Sequence, residues 1–101
     1  MGDTVIEIEA GYTDETIMSE IYRNLQVLYA TVAGEQALDR EYGLDADIQD
    51  LPQEQARALL AAEYVKKTQM YEPRAEVVSV EWVPSKHEYG VVLPKVVIKI
   101  V

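Results

Sequence analysis

The sequence lacks cysteine and contains a single histidine among its 101 residues. Without cysteine the chain can form no disulfide and no thiolate-based redox or metal site, and nucleophilic cysteine catalysis is excluded as well. No apolar run approaches the roughly 20 residues that a membrane-spanning helix needs. The opening residues also lack the basic and apolar segments of an export signal. These absences predict a small domain in a reducing, intracellular compartment.

Basic residues are scarce too: 9 Lys and Arg stand against 18 Asp and Glu, which gives a formal net charge of −9. Nucleic acids and anionic membranes are bound through Lys and Arg, so we expect neither as a partner. Hydrophobic residues make up 49% of the chain, too many for a disordered, highly charged segment. The length predicts one domain over residues 1–101.

Two segments have the apolar spacing of amphipathic helices. At the start of the first, Thr13 and Asp14 both offer a side-chain oxygen that could cap the helix, and the helix is predicted to end near Ala33, because a glycine follows. Its apolar stripe consists of Ile17, Ile21, Leu25, Leu28 and Val32. The second helix is predicted over residues 52–71. Its buried row is predicted to contain Ala56, Leu60 and Tyr64, widened by Ala61 and Val65.

Three segments alternate as strands do, over residues 4–10, 75–83 and 91–101, and the stretch 34–51 is predicted to be a long connection with one short helical turn. In the second strand, Val78, Val80 and Trp82 are predicted to share one side. The order strand, helix, helix, strand, strand predicts an α+β fold. In it, a small antiparallel or mixed sheet of about three strands carries two helices packed on one face.

The position of the last strand in the sheet stays open at this stage. Pro94 cannot donate to a sheet ladder, so the first part of the strand belongs at an edge or a bulge. The strand is apolar to its last residue and carries Val97 and Val101 on its outer side, so an open edge could accept a segment from a neighbour. The alternative is a central strand whose outer valines lie under a loop.

The sequence shows no catalytic or phosphate-binding motif. His87 lies in a predicted hairpin loop, where a solvated side chain is the better interpretation than a general base. The serines, Ser19, Ser79 and Ser85, lack the Gly-x-Ser-x-Gly context of a nucleophile elbow, and the glycines are scattered singly. We therefore predict no catalytic site and no cofactor.

The acidic residues Asp45, Asp47 and Asp50 invite a test for a calcium loop. Counted from Asp45, the sixth position is Asp50 instead of glycine and the twelfth is Ala56 instead of glutamate. The loop therefore lacks both the sharp turn and the bidentate ligand. We predict no metal site and assign these carboxylates to a solvated loop before a helix.

The tripeptide Glu72-Pro73-Arg74 follows the second helix. Pro73 fixes its own φ and disfavours helical geometry at Glu72, which predicts a stiff corner. In an extended segment, Glu72 and Arg74 would face the same side and present a carboxylate beside a guanidinium. From these residues alone, an exposed ion pair worth roughly 0–1 kcal/mol is the simplest interpretation.

Three short motifs in this order resemble the GPW/gp25 family: Ala33-Gly34-Glu35, Glu41-Tyr42-Gly43 and Glu72-Pro73-Arg74. These are baseplate proteins of contractile phage tails, with relatives in tailocins, extracellular injection machines and type VI secretion. The resemblance runs from about Ile17 to the C-terminus. It departs from the family pattern at Arg40, where the family often has proline.

The resemblance implies a structural role without enzymatic activity. Family members join the baseplate wedge around the tail hub, in a hexameric arrangement, and initiate the sheath by offering a sheet edge for strand exchange. They are cytoplasmic during assembly and then part of the particle. The partners would be wedge, hub and sheath proteins. The candidate partner-binding residues are Glu72, Pro73, Arg74, Val97, Lys99 and Val101.

Two alternatives stay open. One is a cytoplasmic regulatory adaptor, since a stress-response anti-adaptor shares the fold of this family. The other is a small acid/base enzyme that uses His87 and nearby carboxylates.

Overall fold

A computed structural model describes residues 4–9, 14–34, 40–45, 47–48, 51, 53–86 and 89–101. The elements in chain order are β1 (Val5–Ile8), α1 (Glu15–Ala30), α2 (Gln53–Tyr71), β2 (Ala75–Pro84) and β3 (Val92–Ile100). The strands form one sheet in the order β1-β3-β2, with β1 parallel and β2 antiparallel to β3. The predicted α+β fold with a mixed three-stranded sheet and two helices is confirmed.

Helix α1 begins and packs as its sequence predicts. The Asp14 carboxylate accepts hydrogen bonds from the backbone N–H groups of Thr16 and Ile17, at 3.0 and 3.2 Å. Its apolar stripe lies in the core, where Ile21, Leu25, Leu28 and also Tyr29 are buried. The helix ends at Ala30, earlier than the predicted Ala33, because Thr31 turns to extended backbone.

Helix α2 buries a different set of residues from the one predicted. Tyr64 is buried and Leu60 packs against the core, but Val65 is 48% exposed, so its predicted place in the buried row is wrong. Lys67 and Thr68 are buried instead. Each has a partner: the Lys67 ammonium donates to the Glu41 carbonyl, and the Thr68 hydroxyl lies 2.5 Å from the Tyr29 hydroxyl. Buried polar groups are tolerated when they are paired in this way.

Burial of two tyrosines at the helix interface also changes their acidity. The Tyr29 and Tyr64 rings meet edge to face, with centroids 4.7 Å apart. Burial raises the pKa of Tyr29 to about 12 and also raises the pKa of Tyr64. Both hydroxyls therefore stay neutral at physiological pH.

Strand β2 contains a bulge between Val77 and Ser79. The extra residue shifts the alternation by one position, so Val77 and Val80 both pack against the core. Val78 is 48% exposed, and its predicted position on the same side as Val80 is wrong.

Strand β3 is the central strand. Residues 95–98 of β3 pair with β1 on one side and with β2 on the other, so the open-edge alternative is wrong for this part of the strand. Residues 92–94 pair with β2, and no residue of β1 in the described ranges reaches them. Pro94 lies in this one-sided part, as its missing N–H group predicts.

The long connection between the helices contributes to the core. Leu44 forms a parallel bridge with Val32 and is fully buried, and Ile48 is buried as well. Residues 47–48 form the predicted short helical turn. Gly43 has a positive φ of 104° and lies against Thr31, so the chain passes close to the end of α1.

Candidate functional site

The Glu72-Pro73-Arg74 tripeptide forms a tight corner between α2 and β2. The Glu72 N–H group donates to the Thr68 carbonyl at 2.8 Å, and the Ala75 N–H group donates to the Glu72 carbonyl at 3.0 Å. The corner is therefore a hydrogen-bonded turn and not the extended segment that the spacing predicted. Glu72 and Arg74 still meet, because the turn brings the two side chains together.

The two charged side chains of the corner form a two-point contact. Arg74 Nε donates to Glu72 Oε1 at 2.6 Å, and Arg74 Nη2 lies 3.3 Å from Glu72 Oε2. Helix α1 supplies two further partners: Asn24 Nδ2 donates to Glu72 Oε2 at 3.0 Å, and Glu20 Oε1 accepts from Arg74 Nη2 at 3.2 Å. The network therefore fastens α1 to the end of α2.

Burial differs strongly among the three residues of the corner. Glu72 is 4% exposed, whereas the Arg74 side chain is 42% exposed and Pro73 is exposed. The interpretation of the tripeptide as an exposed ion pair is therefore wrong for its carboxylate. The buried Glu72 carboxylate binds the inner side of the Arg74 guanidinium. The surface of the corner consists of Pro73 and the outer part of Arg74.

The environment of Glu72 makes the stability of the corner depend on pH. The hydrogen bond from Arg74 is the main cause that lowers the pKa of Glu72, and Asn24 adds to it, against the opposing effect of burial. A carboxylate whose pKa is lower in the folded state stabilises the fold above its unfolded pKa. That contribution is lost as the pH falls through the folded value.

We therefore expect the Glu72→Gln variant to differ most from the wild type at neutral pH. Urea unfolding at a series of pH values should show the difference in unfolding free energy shrinking below pH 4.5, the ordinary pKa of this group. Glu20→Gln serves as the control, because the Glu20 side chain is 56% exposed whereas Glu72 is buried. A Glu72 difference that is constant from pH 7 to pH 3 would contradict the assignment.

The sheet residues predicted to bind partners lie apart from the corner, with one exception. Val97 lies opposite Ser79 and Glu7 on the central strand, and Lys99 Nζ lies 3.7 Å from a Glu76 carboxylate oxygen. Val101 is 69% exposed, and its N–H group donates to the Arg74 carbonyl at 2.9 Å. The structure thus brings Val101 to the corner and leaves Val97 and Lys99 on the sheet.

The chain shares its fold with a baseplate protein. It is similar to a chain in the cryo-EM structure of the anti-feeding prophage baseplate, 6-fold symmetrised, with a TM-score of 0.65 and 22% sequence identity. The match covers 80% of this chain and 66% of that chain, so this chain spans slightly less than two thirds of the length of its counterpart. No protein-family model and no curated protein sequence matches the chain.

Two of the three aspartates of the acidic loop, Asp45 and Asp47, lie in the part of the chain that the structure describes. Asp45 Oδ1 accepts from the Asp47 N–H group at 2.9 Å, and the Asp45 N–H group donates to Glu63 Oε2 at 3.1 Å. Asp50 and His87 lie outside the described residues. Within the described ranges, no three side chains of His, Cys, Asp or Glu are grouped as a metal site would require.

The helices also give no membrane segment. Over the residues that the structure describes, neither helix combines the length and the apolar character needed to cross a bilayer.

The sequence analysis did not identify the two residues of α1 that contact the corner. Asn24 and Glu20 are spaced four residues apart on α1, off the apolar stripe, and this spacing places them on one helix face. Their contacts with the corner span 48 and 54 residues of sequence. The spacing could have marked them as neighbours, but only the packing of α1 beside α2 assigns them to Glu72 and Arg74.

Proposed function

We propose that this protein is a non-enzymatic structural component of the baseplate of a contractile injection particle. In this role it joins the wedge around the hub and initiates polymerisation of the sheath. The observation that carries the proposal is the fold shared with a chain of the anti-feeding prophage baseplate. The order of the three sequence motifs supports the same conclusion. The 6-fold symmetry of that assembly fits six copies of this chain around a hub.

The corner supports docking on a wedge protein. Arg74 is held by Glu72 and Glu20 on one side and is partly exposed on the other, so its guanidinium keeps a fixed direction. Pro73 stiffens the same surface. A side chain that is ordered before binding loses less entropy when a partner docks. We propose that Pro73 and Arg74 contact the wedge and that Glu72 acts by positioning Arg74.

The central place of β3 changes how the sheet would serve the sheath. A segment from a sheath protein cannot pair with residues 95–98, because both sides of this stretch are occupied. Strand exchange would instead use the far side of β1 or β2, the outer strands of the sheet among the described residues. We propose that Val97 and Lys99 contact a partner through the outer face of the sheet, and Val101 through its exposed end.

The test is a deletion of this protein in its native host, followed by electron microscopy of the particles. We expect sheathed particles to disappear and a plasmid copy to restore them. A tagged copy should co-purify with wedge and sheath proteins. Complementation by Arg74→Ala should fail although that variant folds, whereas Glu20→Ala should restore assembly, since the Glu72 contact to Arg74 remains. Normal sheathed particles from the deletion strain would contradict the proposal.

A further inference from the structure

We infer that the far edge of β2 accepts an extended segment of a partner protein in which basic and apolar side chains alternate. The inference rests on the proposed function, in which a sheet edge serves a neighbour, and it adds which edge and which partner chemistry. Strand β2 has 10 residues and β1 has 4, and no described strand pairs with the far side of β2. The longer edge offers more main-chain hydrogen bonds to an added strand.

Helix α2 packs against β2 and runs in the opposite direction. The Arg57 guanidinium lies 5.2 Å from the centre of the Trp82 ring, near the end of β2, and Gln69 lines a groove together with Ala75 at its start. The groove has a volume of about 310 Å³ and is also lined by Val65, Val77 and Val101. Apolar side chains on the helix side of an added strand would be buried there.

The face of the sheet that points away from α2 favours a basic partner. Glu76 and Glu81 lie on this face, and their nearest contacts to lysine are long, at 3.7 Å to Lys99 and 3.8 Å to Lys95. Lys95 lies closer to Glu7, at 2.9 Å. Both glutamates are more than half exposed. Each can therefore form a second salt bridge, with a basic side chain of a strand added at the far side of β2. Basic side chains on an added strand would lie beside them and stabilise the pairing.

The same glutamates disfavour a second copy of this chain at the edge. Pairing β2 with its own copy would bring two rows of glutamate together, since Glu76 and Glu81 have the same face in both chains. Like charges on neighbouring strands are destabilising. The edge therefore discriminates between partners by charge, with a repulsive element against itself and an attractive one for a basic segment.

The experiment measures the binding of short synthetic peptides at low ionic strength by fluorescence anisotropy. One probe alternates lysine and valine over about eight residues, which matches a strand of usual length. A second probe has the same composition with the lysines and valines in two blocks, and a third alternates glutamate and valine. We expect the alternating lysine peptide to bind roughly tenfold more tightly than either of the others. Hydrogen exchange should show new protection of β2 amides.

A charge-reversal variant tests the assigned residues. Glu76→Lys/Glu81→Lys should reverse the preference, so that the alternating glutamate peptide binds more tightly. Glu15→Lys/Glu54→Lys changes the net charge equally at the first turns of the two helices and should keep the wild-type preference. If the reversal variant does not fold, Glu76→Gln/Glu81→Gln should abolish the preference instead.

Three results would overturn the inference: equal affinity for the alternating and block peptides, an unchanged preference in the reversal variant, or dimerisation of the wild type through β2. These outcomes are independent of the baseplate role. Charge-selective binding together with normal particles in the deletion strain would support the inference and contradict the proposed function. Loss of selectivity together with failed assembly in that strain would do the reverse.

Discussion

Replacing Gly43 with alanine is expected to lower the free energy of unfolding by about 3–4 kcal/mol. A Cβ atom at this position would lie 2.4 Å from the Thr31 carbonyl oxygen and 2.8 Å from its carbonyl carbon. The φ of 104° adds strain for any residue with a side chain. Relief of the clash must separate Leu44 from Thr31, whose 2.8 Å hydrogen bond holds the connection against α1. Urea unfolding followed by circular dichroism measures the effect.

Gly34 provides the matched control for Gly43. Its φ of 101° is almost the same, but nothing lies within 4 Å of the place where a Cβ atom would stand. We expect Gly34→Ala to lower the free energy of unfolding by about 1 kcal/mol, which is the cost of the positive φ alone. Equal effects of the two substitutions would show that the close approach to Thr31 does not contribute.

Replacing Glu72 with alanine is expected to cost about 2–3 kcal/mol. The substitution removes the acceptor of two Arg74 contacts and of the Asn24 amide in a site that is almost fully buried. It also releases the contact that holds the end of α2 to α1, so we expect the Arg74 side chain to lose its fixed direction. Urea unfolding gives the free energy, and the NMR signal of the Arg74 Nε–H group reports on the order of the side chain.

Glu20→Ala is the control for the corner. Its carboxylate is exposed and touches the same guanidinium, so its loss should change the unfolding free energy by no more than about 0.5 kcal/mol. A Glu20 effect as large as that of Glu72 would mean that the energy of the network comes from charge on the surface and not from the buried carboxylate.

The helices and strands could be predicted from the sequence more fully than the contacts of the Glu72-Pro73-Arg74 corner. A side-chain cap at residues 13–14, the α1 stripe and the approximate limits of the helices and strands follow from local patterns. Capping and side-chain periodicity involve residues that are close in sequence. A corner at Pro73 follows for the same reason, although the segment is a hydrogen-bonded turn and not extended. The burial of Glu72 does not, because its partner Asn24 comes from a distant part of the chain.

The errors of the sequence analysis have a common physical origin. Val65 was predicted to widen the buried row and is exposed. Lys67 is buried instead, because its ammonium donates to the Glu41 carbonyl in the connection between the helices. Val78 was predicted on the wrong face of the sheet because a bulge shifts the alternation of β2. The local sequence pattern gives no sign of this bulge.

The acidic charge, the kinds and order of the secondary-structure elements and the apolar stripe of α1 follow from composition and short-range spacing. Three features come from tertiary packing instead: β3 lies between β1 and β2, the far sides of β1 and β2 pair with no described strand, and Glu72 is buried in contact with Arg74. These features depend on hydrogen bonds and contacts between segments far apart in the chain, and different packings of the same elements would satisfy the same local pattern.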